Sequence, residues 1–244
     1  MTTLREAQAD YINRWNKNAK QHFLSGDYDW IASLVEKSGA RSVLEIGCGV
    51  GYSTLALANK GIKVISIDSI PEAVDSTKLV LAKFGFSVGA SEVDAEPNIL
   101  LKQIDVIENY HEVSSSISSI ESILICNPGG KLETELTQKE LEMLRWGKFS
   151  DEQIAEENVF NLHRWALILV AARLAKENGK ILIVVDRACY EDLLPILDVI
   201  EITTGLRCNG KTCRQIQVPP SDGIGLGDIG SSTSLYLGAG LYIS

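Results

Sequence analysis

Residues 43–54 read Val43-Leu44-Glu45-Ile46-Gly47-Cys48-Gly49-Val50-Gly51-Tyr52-Ser53-Thr54. Val43, Leu44 and Ile46 form the end of a buried strand. Gly47, Gly49 and Gly51 permit a sharp, crowded turn, and Ser53 to Lys60 reads as a helix closed by Gly61. Strand, glycine turn and helix in that order make the phosphate or nucleoside crevice of a doubly wound α/β fold. Glycine is required where a Cβ would obstruct the backbone angles or the approach of a ligand. The dinucleotide fingerprint is G-x-G-x-x-G, whereas this turn is G-x-G-x-G with Tyr at position 52, which disfavours an NAD-dependent oxidoreductase. Without a ligand the stretch would be only a tight strand-to-helix turn.

The chain on either side supports the same fold. Residues 3–24 and a stretch capped by Asp27-Tyr28-Asp29 carry apolar residues at helical spacing, so two helices precede the first strand. Tyr11, Trp15 and Tyr28 either line a pocket or pack in the core. The second strand, Val64 to Ile67, ends in Asp68, where a carboxylate of this fold faces a ribose. Pro71 suits the first turn of the next helix, whose stripe runs from Ala73 to Phe84. A third strand is expected within 86–93, ahead of Asp94-Ala95. Ile99, Leu100, Gln103, Ile104 and Ile107 suit a helix, and Ser114 to Ser119 reads as a surface loop beside His111. The fourth strand, Ser122 to Cys126, runs into Asn127-Pro128-Gly129-Gly130, a good turn in its own right. Two capping boxes follow, Thr137 to Glu140 and Ser150 to Gln153. The first opens a short helix and the second a long one reaching Asn178-Gly179. Ile181 to Val185 is an apolar run suited to a central parallel strand. Gln215–Val218 and Ser234–Ile243 are the last strands.

The run Glu45-Ile46-Gly47-Cys48-Gly49-Val50-Gly51, followed by Asp68, resembles the first motif of class I S-adenosylmethionine-dependent methyltransferases. The resemblance implies a single domain over 1–244, a doubly wound, seven-stranded, mostly parallel sheet of the Rossmann-like methyltransferase kind. It also implies an N-terminal helical cap over 1–40, an antiparallel edge hairpin and a substrate lid over 127–150. The implied cofactor is S-adenosyl-L-methionine, with contacts from Glu45, Gly47, Cys48, Gly49 and Gly51, from Asp68 and Ser69 at the ribose, from Asp94 and Ala95 at the adenine, and from Asn127. Asn127-Pro128 resembles the Asn-Pro-Pro-aromatic motif of enzymes that methylate amide or exocyclic nitrogens. Its Asn and Pro carbonyls can both accept from an N–H₂ group, which makes Asn127 and Pro128 the candidate catalytic residues. Gly129 and Gly130 depart from that motif by removing the second Pro and the stacking aromatic.

Composition bounds the function. The 244 residues, 45% of them hydrophobic, suffice for one large domain. The net charge is −9, and Lys17, Lys20, Arg41 and Lys60 are scattered, which disfavours a nucleic-acid partner. No run of eighteen apolar residues suggests a membrane span. The polar start lacks a signal-peptide core, so the cytoplasm is the expected compartment. Five cysteines, an odd number, argue against a disulfide framework. Cys208 and Cys213 flank Asn-Gly-Lys-Thr and are read as reduced thiols around a turn or as a redox pair. No metal is expected. The function expected is transfer of a methyl group to a small-molecule acceptor, with an amine nitrogen as one target and a homodimer compatible with the sequence. A cofactor-binding sensor or scaffold without turnover, and a methyltransferase acting on a protein or nucleic-acid nitrogen, stand as alternatives.

Overall fold

In the computed structural model, which describes residues 4–89, 98–126, 128, 135–186, 190–218 and 234–243, the quoted stretch sits at the centre of one sheet. β1 (Ser42–Ile46) is flanked by β2 (Lys63–Asp68) and β4 (Ser122–Cys126). β3 (Ile99–Gln103), β5 (Ile181–Asp186), β6 (Cys208–Val218) and β7 (Ser234–Ile243) complete the order β3-β2-β1-β4-β5-β7-β6. The first five of these are parallel, and β7 runs antiparallel to both β5 and β6. Chain order reverses between β1 and β4, which opens a crevice at the carboxyl ends of the strands.

Each parallel strand is apolar on both faces because helices cover both. Val43, Val64, Ile99, Leu124 and Ile183 face α1 (Leu4–Leu24), α2 (Asp27–Lys37), α3 (Tyr52–Asn59) and α4 (Pro71–Lys83). Their neighbours Leu44, Ile65, Leu100, Ile123 and Leu182 face α5 (Tyr110–Ser116), α6 (Gln138–Trp146), α8 (Val159–Asn178) and α9 (Tyr190–Thr204). The two-residue period of a strand thus sorts one sequence into two cores. Glu45 lies on the α3 face with Val43, and it is completely buried.

Four expectations are corrected. The third strand is 99–103 rather than a segment of 86–93, and Gly89 contributes only an isolated bridge to Leu100. Ile99, Leu100 and Leu101 fit a helical stripe or a strand buried on both faces equally well, and pairing with β2 decides for the strand. The serines at 114–116 end α5 rather than sit in a loop; Ser115 and Ser116 bond back to carbonyls within that helix. The box at Ser150 opens only α7 (Asp151–Glu156), and α8 starts afresh with Asn158 accepting from the Phe160 N–H. Cys208 and Cys213 lie within β6, so the residues between them form a strand with a register irregularity rather than a turn. Cys208 is exposed. Among the described residues, no helix is long and apolar enough to cross a membrane, and no cluster of His, Cys, Asp and Glu could hold a metal.

Candidate cofactor and acceptor site

The turn after β1 is held by the strand beside it. The Gly47 and Cys48 N–H groups both donate to the Ile67 carbonyl, at 2.8 and 3.2 Å. The Gly49 N–H donates to Asp68 Oδ2 and the Ile70 N–H to Asp68 Oδ1, each at 2.9 Å. One carboxylate therefore clamps the glycine turn to the start of α4. Gly47, Gly49 and Gly51 have φ of 83°, 54° and 87°, the region open to glycine. The reasons for glycine differ by position. A Cβ on Gly51 would lie 2.7 Å from Thr77 Cα, so this residue is small to let α4 approach. A Cβ on Gly47 would meet nothing within 4 Å, because that side of the backbone faces open space.

That space belongs to a cavity at the carboxyl ends of the strands. It is lined by Gly47 to Ser53, by Asp68, Ser69 and Ile70 after β2, and by Ile104, Asp105 and Val106 after β3. Ile125, Cys126 and Pro128 after β4, with Leu167 of α8, form the other side. Tyr11, Ile12 and Trp15 of α1 and Tyr28 of α2 also line it. The helical cap thus reaches the site, and the Trp15 indole nitrogen would lie 3.6 Å from a Cβ on Gly49.

Electrostatics centre on Asp68. Burial pushes its carboxyl up to about 6, against the lowering effect of the Ile70 and Gly49 backbone donors. Burial likewise raises the Cys48 thiol, which accepts a 3.3 Å bond from the Thr77 hydroxyl and stays protonated and packed. Glu45 is not among the lining residues. Its Oε2 accepts from the Thr54 hydroxyl at 2.5 Å and the Ser66 hydroxyl at 2.7 Å, and burial raises its pKa. The expected cofactor contact becomes a positioning role, in which Glu45 ties β1, β2 and α3 together beneath the turn.

The structure brings Gly47, Cys48, Gly49, Gly51, Asp68, Ser69 and Pro128 to one cavity. Asp94, Ala95 and Asn127 lie outside the described residues. The acid at the tip of the third strand is Asp105, which the sequence reading missed. It accepts from the Ile107 and Glu108 N–H groups at 2.9 and 3.2 Å. The signal was an acid two residues beyond the end of β3. Of the 127–150 segment, α6 is docked on α8, and none of its residues lines the cavity. His163 Nδ1 and Glu140 Oε1 meet at 2.9 Å in that interface, both buried. Arg145 pairs with Asp151, and Trp146 packs near Arg173, both away from the cavity.

Comparison with known proteins agrees with this geometry. A family model described as protein-L-isoaspartate(D-aspartate) O-methyltransferase matches residues 20–114. An uncharacterized methyltransferase of Mycobacterium tuberculosis (strain ATCC 25618 / H37Rv) is 26% identical over 129 residues, 53% of this chain and 51% of that protein. A ubiquinone biosynthesis O-methyltransferase of Xylella fastidiosa (strain M23) is 30% identical over 113 residues, covering 43% of this chain and 44% of that protein. The chain spans about half the length of the curated relatives it matches. In structure it resembles the magnesium protoporphyrin IX methyltransferase of Synechocystis PCC 6803, solved with bound SAM, with a TM-score of 0.53. That likeness has 13% sequence identity and covers 100% of this chain and 97% of that one.

Proposed function

We propose that the chain is a class I S-adenosylmethionine-dependent methyltransferase that transfers a methyl group from S-adenosyl-L-methionine to a small-molecule acceptor, a reading supported by the family-model match over residues 20–114 and by the methyltransferases it resembles. The observation that carries this reading is the clamp of Asp68 on the glycine turn, at the point where strand order reverses. The residues fit the cofactor. Gly47 leaves open the volume its Cβ would fill. The Asp68 carboxylate, held by the Gly49 and Ile70 N–H groups, stands in the cavity wall beside it. Asp68 and Ser69 would hold the ribose, Asp105 and Val106 the adenine side, and Gly47 to Gly51 the methionine portion.

The bound cofactor supplies a methyl group already activated by the sulfonium charge. The protein's work is then to bind, align and keep out water. Effective alignment of two reactants can contribute about 7–11 kcal/mol. The turn is fixed from below by Glu45 and from the side by Asp68, so the donor side needs little rearrangement. Ile125, Cys126, Pro128 and Leu167 form the opposite wall, where the acceptor would sit, and Trp15 and Tyr11 of the helical cap line the same cavity. Asn127 beside Pro128 is the candidate to orient an acceptor nitrogen. No lining residue among those described is a histidine or lysine base, which suits an acceptor whose nucleophilic atom needs no strong base.

The test is calorimetric titration of ligand-stripped protein with S-adenosylhomocysteine. Micromolar, one-to-one binding is expected. Absence of binding by folded protein would reduce the turn to architecture. Binding without methyl transfer across amine, hydroxyl and carboxylate acceptors would instead favour a sensor or scaffold.

A further inference from the structure

We infer that the buried Asp27, which stands outside the cavity, is a positioning residue for the cofactor: through His22 it sets where Trp15 stands against the glycine turn. This rests on the cofactor reading above. Asp27 opens α2 and His22 lies in the last turn of α1, and both are buried. His22 Nδ1 and Asp27 Oδ2 meet at 2.9 Å. The Ser25 hydroxyl lies 2.7 Å from the same carboxyl oxygen and 2.9 Å from the His22 carbonyl. The His22 ring packs near that of Trp15, with centroids 6.1 Å apart. Trp15 lines the cavity, and its indole nitrogen would lie 3.6 Å from a Cβ on Gly49. A chain of contacts thus runs from Asp27 to the turn, although neither Asp27 nor His22 lines the cavity.

The fold gives this chain leverage. Only Ser25 and Gly26 join α1 to α2, and Gly26 takes a left-handed φ of 78° with no side chain to cap α2. At about 1.5 Å per residue, Trp15 stands about 16 Å along the helix from Gly26. A tilt of about 10° at that turn would carry its ring about 3 Å, enough to change its gap to Gly49. Ile12 and Ala19 pack α1 onto the core, but apolar contact has no direction. A buried hydrogen bond holds at one geometry and leaves a costly unpaired group when it slips. The chain also carries a second pair of the same make, His163 Nδ1 and Glu140 Oε1 at 2.9 Å, which does not line the cavity. In both pairs the histidine Nε2 is buried without a hydrogen-bond partner. Like chemistry in two places lets positioning be separated from stability.

The experiment titrates the full chain with S-adenosylhomocysteine by calorimetry and records tryptophan fluorescence, with Trp15→Phe identifying the part of the emission that belongs to Trp15. Asp27→Ala is expected to weaken binding by about tenfold or more and to shift the Trp15 emission of the free protein. Asp27→Asn keeps a carbonyl oxygen for His22 and should restore most of the affinity. Glu140→Ala should lower the urea midpoint as Asp27→Ala does, with affinity and Trp15 emission unchanged. If circular dichroism shows Asp27→Ala unfolded, His22→Gln carries the same expectation, because it keeps a partner for Asp27 and removes the ring beside Trp15. Weakening by less than about tenfold, an unshifted Trp15 emission, or equal weakening by Glu140→Ala overturns the proposal. Failure of S-adenosylhomocysteine to bind the natural chain would overturn the cofactor reading instead.

Discussion

Replacing Asp68 with Asn tests the site most directly, because the change keeps the shape and removes the charge. Asp68 is at once the clamp of the turn and the proposed ribose acceptor. A hydrogen bond to a charged group contributes about 1.5–3 kcal/mol. Loss of charge at two ribose hydroxyls should therefore cost about 3–6 kcal/mol, weakening S-adenosylhomocysteine by roughly 10²- to 10⁴-fold. Asn also turns an amide N–H₂ toward either Gly49 or Ile70, each of which already points an N–H there. The effect should carry a pH signature. The ionised form accepts best, and the free protein's Asp68 titrates near 6. Affinity of the natural chain should be level at about pH 8 and should fall toward tenfold per unit below about 6. Asp68→Asn should show no such slope. Folding of the free chain runs the other way. A carboxyl raised from 3.8 to about 6 contributes stability present below 3.8 and lost as pH rises through 6, about 3 kcal/mol in all. Calorimetric titration at about pH 8 and pH 5 reads the first effect, and urea unfolding over the same range reads the second. Affinity within threefold of the natural chain, or an unchanged pH slope in the variant, would refute the assignment.

Further outcomes follow from single contacts. Gly51→Ala must place a Cβ 2.7 Å from the Thr77 backbone at φ 87°. It should lose about 2–5 kcal/mol to overpacking and left-handed strain, measured by urea unfolding. Gly47→Ala meets nothing within 4 Å, so it should lose only the strain of about 1–2 kcal/mol yet weaken S-adenosylhomocysteine at least tenfold. Equal behaviour of the two variants in unfolding and in binding would contradict the separate reasons given for these glycines. Thr137→Ala removes the cap of α6, where Thr137 Oγ1 accepts from the Glu140 N–H at 3.2 Å and Glu140 Oε2 accepts from the Thr137 N–H at 2.8 Å. A loss of about 1 kcal/mol is expected in unfolding, with cofactor affinity unchanged because α6 does not line the cavity. Glu140→Ala strands the buried His163 nitrogen as well, and it should cost about 1–3 kcal/mol more; equal unfolding midpoints for the two variants would exclude that coupling.

Much of this site was legible because the physics is local. A strand must end, a glycine turn must follow it at the edge of the cavity, and Asp68 must stand at the tip of the neighbouring strand; all three follow from residues 43–68. The N-terminal helices were legible from periodicity, but that Tyr11 and Trp15 reach the cavity was not. Core packing and pocket lining call for the same apolar spacing on α1, and only the tertiary path of the helix separates them. The third strand failed for a related reason. Its buried run is three residues long, Ile99 to Leu101, and neither helix nor strand period can be read from three apolar residues. Its identity is fixed by β2, which offers Val64 to Asp68 as a partner, a long-range fact. With the strand at 99–103, the acid that follows it is Asp105.

Glu45 shows the opposite difficulty, a residue whose position was right and whose role was not. Two residues before a glycine turn, a carboxylate can point at the ligand or away from it. Strand alternation decides. Ile46 sits on the α8 face and lines the cavity, while Glu45 sits on the α3 face beneath the turn. There it accepts from Thr54 and Ser66, and burial favours its protonated form. A buried acid held by two hydroxyls is costly to place and hard to replace, since an apolar residue would leave the Thr54 and Ser66 hydroxyls only their mutual 3.3 Å bond. The acid of this motif therefore holds the frame of the turn: through Thr54 and Ser66 it joins the start of α3 to β2 beneath the glycines.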